Sequence, residues 1–197
     1  MSIRLVVGLG NPGREHAPTR HNAGFWFVDA LASRLATAFA SEGRFHGALA
    51  RAGSDLRLLK PGTYMNLSGR SVAALARFFA VAPGEMLVVH DELDLLPGEA
   101  KLKFGGGTAG HNGLRDIAAQ LGTPDFWRLR IGIGHPRDSA IPQQPVADYV
   151  LQPPRGADRA AIDEALAHSL DAWPLMAAGD FERAMMALHT RNEQEPQ

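Results

Sequence analysis

The sequence predicts an α/β fold: a single-domain three-layer sandwich, with a twisted, mixed and largely parallel sheet carrying helices on both faces. Three observations predict it. Short apolar runs of strand length alternate along the chain with longer segments of helical periodicity, the order that builds a parallel or mixed sheet. Gly53-Ser54-Asp55 separates two strand-like runs and adds some antiparallel pairing. The 197 residues are 45% hydrophobic and 21% charged, which suits one domain with a real core.

The elements follow in order. Strand-like runs occupy 3–9, 47–52, 56–60, 86–90, 100–104 and 128–134. Helical periodicity appears in 22–39, where Phe25, Val28, Leu31 and Leu35 share a face. It returns in 68–80 through Val72, Leu75 and Phe79, and in 111–121 through Leu114, Ile117 and Leu121. Two further helices are expected near 157–178 and 180–190, the second with Asp180 as its N-cap. The proline-rich stretch 136–154 reads as a long connection, and 192–197 as a frayed tail. Neither marks a boundary, so residues 1–197 are expected to form one domain.

Composition narrows the function classes. With no cysteine, disulfides and thiolate metal sites are excluded. No apolar run approaches the roughly 18 residues of a membrane helix, and the N-terminus lacks the pattern of a signal peptide. A cytoplasmic protein away from the membrane is expected. Net charge is −1, yet residues 1–138 hold 16 Lys and Arg against 12 Asp and Glu, while residues 139–197 hold 4 against 9. That split is either scatter on a solvated surface or a cationic face for a polyanion.

Val6-Val7-Gly8-Leu9-Gly10-Asn11-Pro12-Gly13 contains the G-x-G-x-x-G spacing of dinucleotide sites. Such a site needs a helix opening inside the motif. Here Pro12 and Pro18 oppose that helix, periodicity starts only near Asn22, and no acidic residue ends a second strand. The turn is therefore expected to present Asn11 at the carboxyl end of a strand, the edge where ligands of open α/β sheets bind.

Other loops assigned to that edge carry chemistry as well. Thr19-Arg20-His21-Asn22 precedes the first helix, and His90-Asp91-Glu92-Leu93-Asp94 ends an apolar strand. Asn66 follows Tyr64-Met65 before a helix, and a glycine-rich loop 105–110 leads to His111-Asn112 before another. A histidine beside a buried carboxylate holds one tautomer and takes a proton from water. Asparagine donates and accepts hydrogen bonds, so it suits a peptide backbone or a developing oxyanion. No metal-ligand spacing of the H-E-x-x-H type occurs, and no metal is expected. For His111 a purely local role, positioning the glycine loop and the helix start, stays open.

Six motifs in this order, GLGNPG, TRHNAGF, KPGTYMNLSG, HDELD, GGGTAGHNGLRDI and RLRIGIGHP, resemble bacterial-type peptidyl-tRNA hydrolase. The resemblance implies hydrolysis of the ester between a peptide and the 3′ end of tRNA, by a monomer without a cofactor, with peptidyl-tRNA held by its acceptor stem and 3′ end. It implies His21 as the catalytic histidine, Asp91 as its partner, and Asn11 as the residue that tells N-blocked from free aminoacyl-tRNA. Asn66 and Asn112 match substrate-binding amides, with Tyr64, Met65 and His111 in the same region. Lys101, Lys103 and Arg130 match basic positions near the tRNA, in agreement with the charge split. Two positions depart from the family pattern: His16 stands where a tyrosine is usual, and Ala109 sits in the glycine loop, where its Cβ disfavours positive φ and predicts a stiffer or displaced loop. The alternatives are a non-catalytic tRNA-binding module and a different hydrolase, such as a metal-dependent aminopeptidase.

Overall fold

A computed structural model of the chain describes residues 1–190. The expected tail at 192–197 lies outside the described residues. Seven strands form one sheet: β1 (Leu5–Gly8), β2 (Ala40–Glu42), β3 (Gly47–Ala52), β4 (Leu56–Pro61), β5 (Met86–Glu92), β6 (Ala100–Phe104) and β7 (Trp127–Gly132). Their order is β2-β3-β4-β1-β5-β7-β6. The four central strands, β4, β1, β5 and β7, are parallel, while β2, β3 and β6 are held by antiparallel pairing. The β3–β4 hairpin turns at 53–55, as the sequence predicts.

Alternation along each strand supplies both faces. Val6, Leu87, Val89, Leu129 and Ile131 pack with helices α1 (Ala23–Arg34), α5 (Gly156–Ala177) and α6 (Phe181–Thr190). Leu5, Val7, Leu59, Met86 and Val88 face the other way, onto α2 (Ser68–Phe78) and α3 (Asn112–Leu121). The expected three-layer sandwich is therefore present. Asp180 accepts from the Arg183 N–H at 3.4 Å, which makes it the cap expected for α6. Among the described residues no helix is long and apolar enough to cross a membrane.

Three local readings need correction, and one left open is decided. The first helix stops at Arg34 rather than near 39, because the chain turns through a left-handed Ala36 (φ 52°) and Thr37 N–H closes back on the Ala32 carbonyl. The three-residue β2 was not anticipated, nor was the five-residue helix α4 (Val146–Val150) inside the proline-rich stretch. Segment 157–178, whose role as packing or as a lid the sequence leaves open, packs as α5 into the core through Ile162, Leu166, Leu170 and Met176. It is α4 that borders the cleft described below.

The largest correction concerns the glycine loop. The register pairs Phe104 with Trp127 and Trp127 with Leu87, so β6 ends near the edge opposite the carboxyl ends of the parallel strands. Segment 105–110 therefore starts at the wrong edge and runs back beside the sheet to deliver His111 next to Asp91. Arg128, only 2% exposed, holds this path. Its guanidinium donates to the carbonyls of Gly107 (2.6 Å), Gly106 (2.9 Å) and Pro124 (3.1 Å). Ala109 adopts the left-handed conformation (φ 47°) despite its Cβ, so the turn is made and not avoided.

Candidate active site

The site is assembled by the approach of α1 to the sheet. A Cβ on Gly24 would fall on the Leu9 nitrogen and the Val89 carbonyl oxygen, so only glycine lets the helix start this close to β1 and β5. The 3-10 turn Arg20–Asn22 then lies over the strand ends. Asn22, 1% exposed, clamps the GLGNPG turn: its Oδ1 accepts from the Asn11 N–H (2.8 Å) and its Nδ2 donates to the Asn11 carbonyl (3.0 Å). The Met65 N–H donates to Asn11 Oδ1 at 2.7 Å. With its amide oxygen occupied, Asn11 is left with its NH2 donors for a ligand.

Asp91, 3% exposed, is the hub. Its carboxylate lies 2.9 and 3.0 Å from His21 Nδ1 and 2.9 Å from His111 Nε2. His111 Nδ1 accepts from the Leu114 N–H (3.4 Å), capping α3, so the proton of that ring is assigned to Nε2 and points at Asp91. His111 thus performs the local task left open by the sequence and also binds the carboxylate. His21 donates from Nδ1, which leaves its Nε2 as a lone pair with no protein partner among the described residues. Burial pushes the His21 imidazole down, and the Asp91 charge and hydrogen bond push it up; the net direction is above the ordinary value. Burial opposes the charge on Asp91, and the His21 and His111 imidazoles outweigh it, holding the carboxyl well below its ordinary range.

His90 completes the cluster from the same strand. It is fully enclosed, donates from Nδ1 to the Asp91 carbonyl (2.8 Å) and meets the His111 ring edge-on at 5.1 Å. Burial first, then the neighbouring His111, pushes it down to about 3, so the ring is neutral near pH 7.

These groups open on a cleft of about 690 Å³. Asn11, His21, Tyr64, Met65, Asn66, Asp91, His111 and Asn112 all line it. Asn66 and Asn112 are exposed, and their side-chain amides make no hydrogen bond among the described residues. Leu93, Val146, Val150 and Leu151 give it an apolar wall. Arg20 fixes that wall, stacking on the Tyr149 ring (3.8 Å) and donating to the carbonyls of Tyr149 (2.8 Å) and Gln152 (3.3 Å).

The remaining candidates lie outside the cleft. Lys103 and Arg130 line an adjoining hollow of about 330 Å³, which shares His90, Glu92, Asp94, Thr108 and Ala109 with the cleft. Lys101 pairs with Arg130 across the β6–β7 ladder. Arg130 is not a free cation: its Nε donates to Glu92 at 2.8 Å. His16 meets Tyr64 edge-on at 6.4 Å and lies 3.8 Å from the Glu15 carboxylate, beside the cleft and not in it.

His21, Asp91 and His111 each offer a ligand atom within 4.8 Å of the others, the one such set among the described residues. A metal held by these three atoms would have to displace the two imidazole protons that bond to the Asp91 carboxylate, and hydrogen bonding accounts for the cluster as it stands. Sequence reasoning missed Asn22, Arg20, His90 and Arg128. The first three stand beside named site residues, and their adjacency was the available signal. Arg128 alternates with Arg130 in an apolar run, which marks a polar face but not a buried one.

A family model described as Peptidyl-tRNA hydrolase matches residues 5–196. A relative named Peptidyl-tRNA hydrolase from Polynucleobacter asymbioticus is 59% identical over 193 residues, covering 95% of this chain and 98% of that one. One of the same name from Nitrosospira multiformis is 57% identical, covering 97% and 100%. The crystal structure of peptidyl-tRNA hydrolase from Acinetobacter baumannii superposes with a TM-score of 0.89 at 46% identity, over 94% of each chain.

Proposed function

Because the chain belongs to the peptidyl-tRNA hydrolase family, we propose that its cleft breaks the ester between a peptide and the 3′ end of tRNA by general-base catalysis. The protein is a hydrolase acting on peptidyl-tRNA. The observation that carries the mechanism is the Asp91 carboxylate bound to His21 Nδ1, with His21 Nε2 left unpaired on the cleft. Asp91 holds the tautomer in which Nε2 is basic. His21 removes a proton from water as the oxygen attacks the ester carbonyl carbon. The Asn11 NH2 donates to the carbonyl oxygen as charge builds on it. When the intermediate collapses, the C–O bond to the ribose breaks and the proton on Nε2 passes to the leaving ribose oxygen. His111 holds Asp91 from its other side.

In this reading Asn66 and Asn112 hold the peptide main chain with their free amides, and Tyr64 and Met65 form the floor. The acceptor stem runs toward Lys101, Lys103 and Arg130, where phosphates meet a basic ribbon; His16 borders the 3′ end beside Tyr64. The enzyme works as a monomer, in the cytoplasm, where peptidyl-tRNA is made. His21→Ala tests the mechanism. Hydrolysis of N-acetylaminoacyl-tRNA falls by about 10²–10⁴-fold, the usual share of a general base, while the melting temperature is little changed. Unchanged turnover removes His21 from the reaction. Tight tRNA binding by the wild type without any product favours the non-catalytic alternative.

A further inference from the structure

Three hollows lie in sequence along the sheet, following the strand order. The cleft sits at the ends of β1 and β5, and the basic hollow lies toward β7 and β6. On the other side, toward β4, β3 and β2, is a third groove of about 640 Å³. Asn11 and Tyr64 line the cleft, and their chain neighbours Pro12 and Thr63 line this groove, so the two share one wall. We propose that the groove holds the peptide of the substrate upstream of its ester-linked residue. This rests on the function proposed above.

The direction follows from charge. The tRNA phosphates belong at the basic hollow, so the polypeptide leaving the acyl carbon needs a path away from it. The third groove offers no free cation to compete for phosphate. Its one ammonium, on Lys60, is held by Asp29 at 2.7 Å and rests over the Phe39 ring at 4.4 Å. The walls suit a peptide of no fixed sequence. Pro12, Phe25 and Pro61 supply apolar surface, and the glycines bare the main chain. The Thr63 hydroxyl is enclosed and has no hydrogen-bond partner among the described residues, a state that calls for one. His46 lines the groove in the left-handed region (φ 50°), a strained conformation of the kind that collects at ligand sites.

The test compares two substrates on one tRNA, N-acetylaminoacyl and pentapeptidyl. Gly43→Trp fills the groove with little strain, since a Cβ at Gly43 meets nothing within 4 Å. Thr63→Val removes the hydroxyl alone and carries the comparison should the tryptophan variant misfold. The wild type is expected to show a higher kcat/KM on the longer substrate. Each variant should lose about 3- to 10-fold on that substrate, the scale of one lost neutral hydrogen bond or contact, and nothing on the shorter one. Equal loss on both substrates, no loss on either, or no length preference in the wild type overturns the peptide path. A wild type inactive on both substrates instead overturns the function on which it rests.

Discussion

Asn22 is the residue whose weight is most easily overlooked. It follows the catalytic candidate in Thr19-Arg20-His21-Asn22 and reads as a helix start. In the structure both ends of its amide are spent on the Asn11 backbone. Asn11 is then oriented by the Met65 N–H, so the donor proposed to face the carbonyl oxygen depends on Asn22, which need not touch substrate, and on the main chain of Met65. Asn22→Ala leaves a buried N–H and a buried C=O unpaired, which costs about 2–6 kcal/mol of stability at 1–3 kcal/mol each. It also frees the turn to shift. A displacement of about 1 Å costs on the order of 10²-fold in rate, so kcat falls by that order while KM stays close to wild type. Stopped-flow or single-turnover hydrolysis checks this; wild-type kcat in a folded Asn22→Ala protein contradicts the clamp. At this scale the sequence was readable where chemistry-bearing residue types cluster at strand ends. It was silent on tautomers and on which amide atom is free, since those depend on neighbours brought in by the fold.

Among the elements, strands and long helices were legible from their periods, and their ends and directions were not. Nothing in the alternation of 100–104 says that β6 runs against β7, so alternation alone puts the glycine segment at the wrong edge. The three-residue β2 and the five-residue α4 are too short to show a period. Helices α1 and α2 close with the same turn, built on alanine where glycine is usual: Ala36 (φ 52°) and Ala80 (φ 51°). In α2 the Val81 N–H closes on the Ala76 carbonyl at 2.9 Å around Ala80. Left-handed backbone costs a residue with a Cβ about 1–2 kcal/mol, against about 0.5–1 kcal/mol of extra chain entropy for glycine. Ala80→Gly is therefore expected to stabilise by about 0.5–1 kcal/mol, a rise in Tm of about 1–4 °C for a chain of this size. A lower Tm in thermal denaturation shows that the turn is not strained.

Across the whole molecule, charge and cavities share one axis. Lys103, Arg128 and Arg130 line the hollow at one end of the cleft, with Lys101 beside Arg130 on the β6–β7 ladder, and the neutralised Lys60 lies toward the other end. The chain-wide count of −1 hid this, and only its division along the sequence hinted at it. The Arg130–Glu92 pair and the enclosed Arg128 show why counting was not enough: charge of the right sign is partly committed to holding loops. At the centre of the axis stands the claim that Asp91 makes His21 the base. The pH dependence of kcat/KM on N-acetylaminoacyl-tRNA, in the wild type and in Asp91→Asn, tests it most directly. Turnover needs His21 neutral, and Asp91 raises its pKa, so the wild-type rate should climb with pH through a midpoint above the ordinary imidazole value of 6.5. Without the carboxylate charge only burial remains, which lowers the pKa. In Asp91→Asn the midpoint should therefore move to lower pH while the plateau falls by up to about 10⁴-fold, as for loss of the tautomer-holding carboxylate in a serine-protease triad. An unchanged midpoint and plateau in Asp91→Asn would contradict the claim.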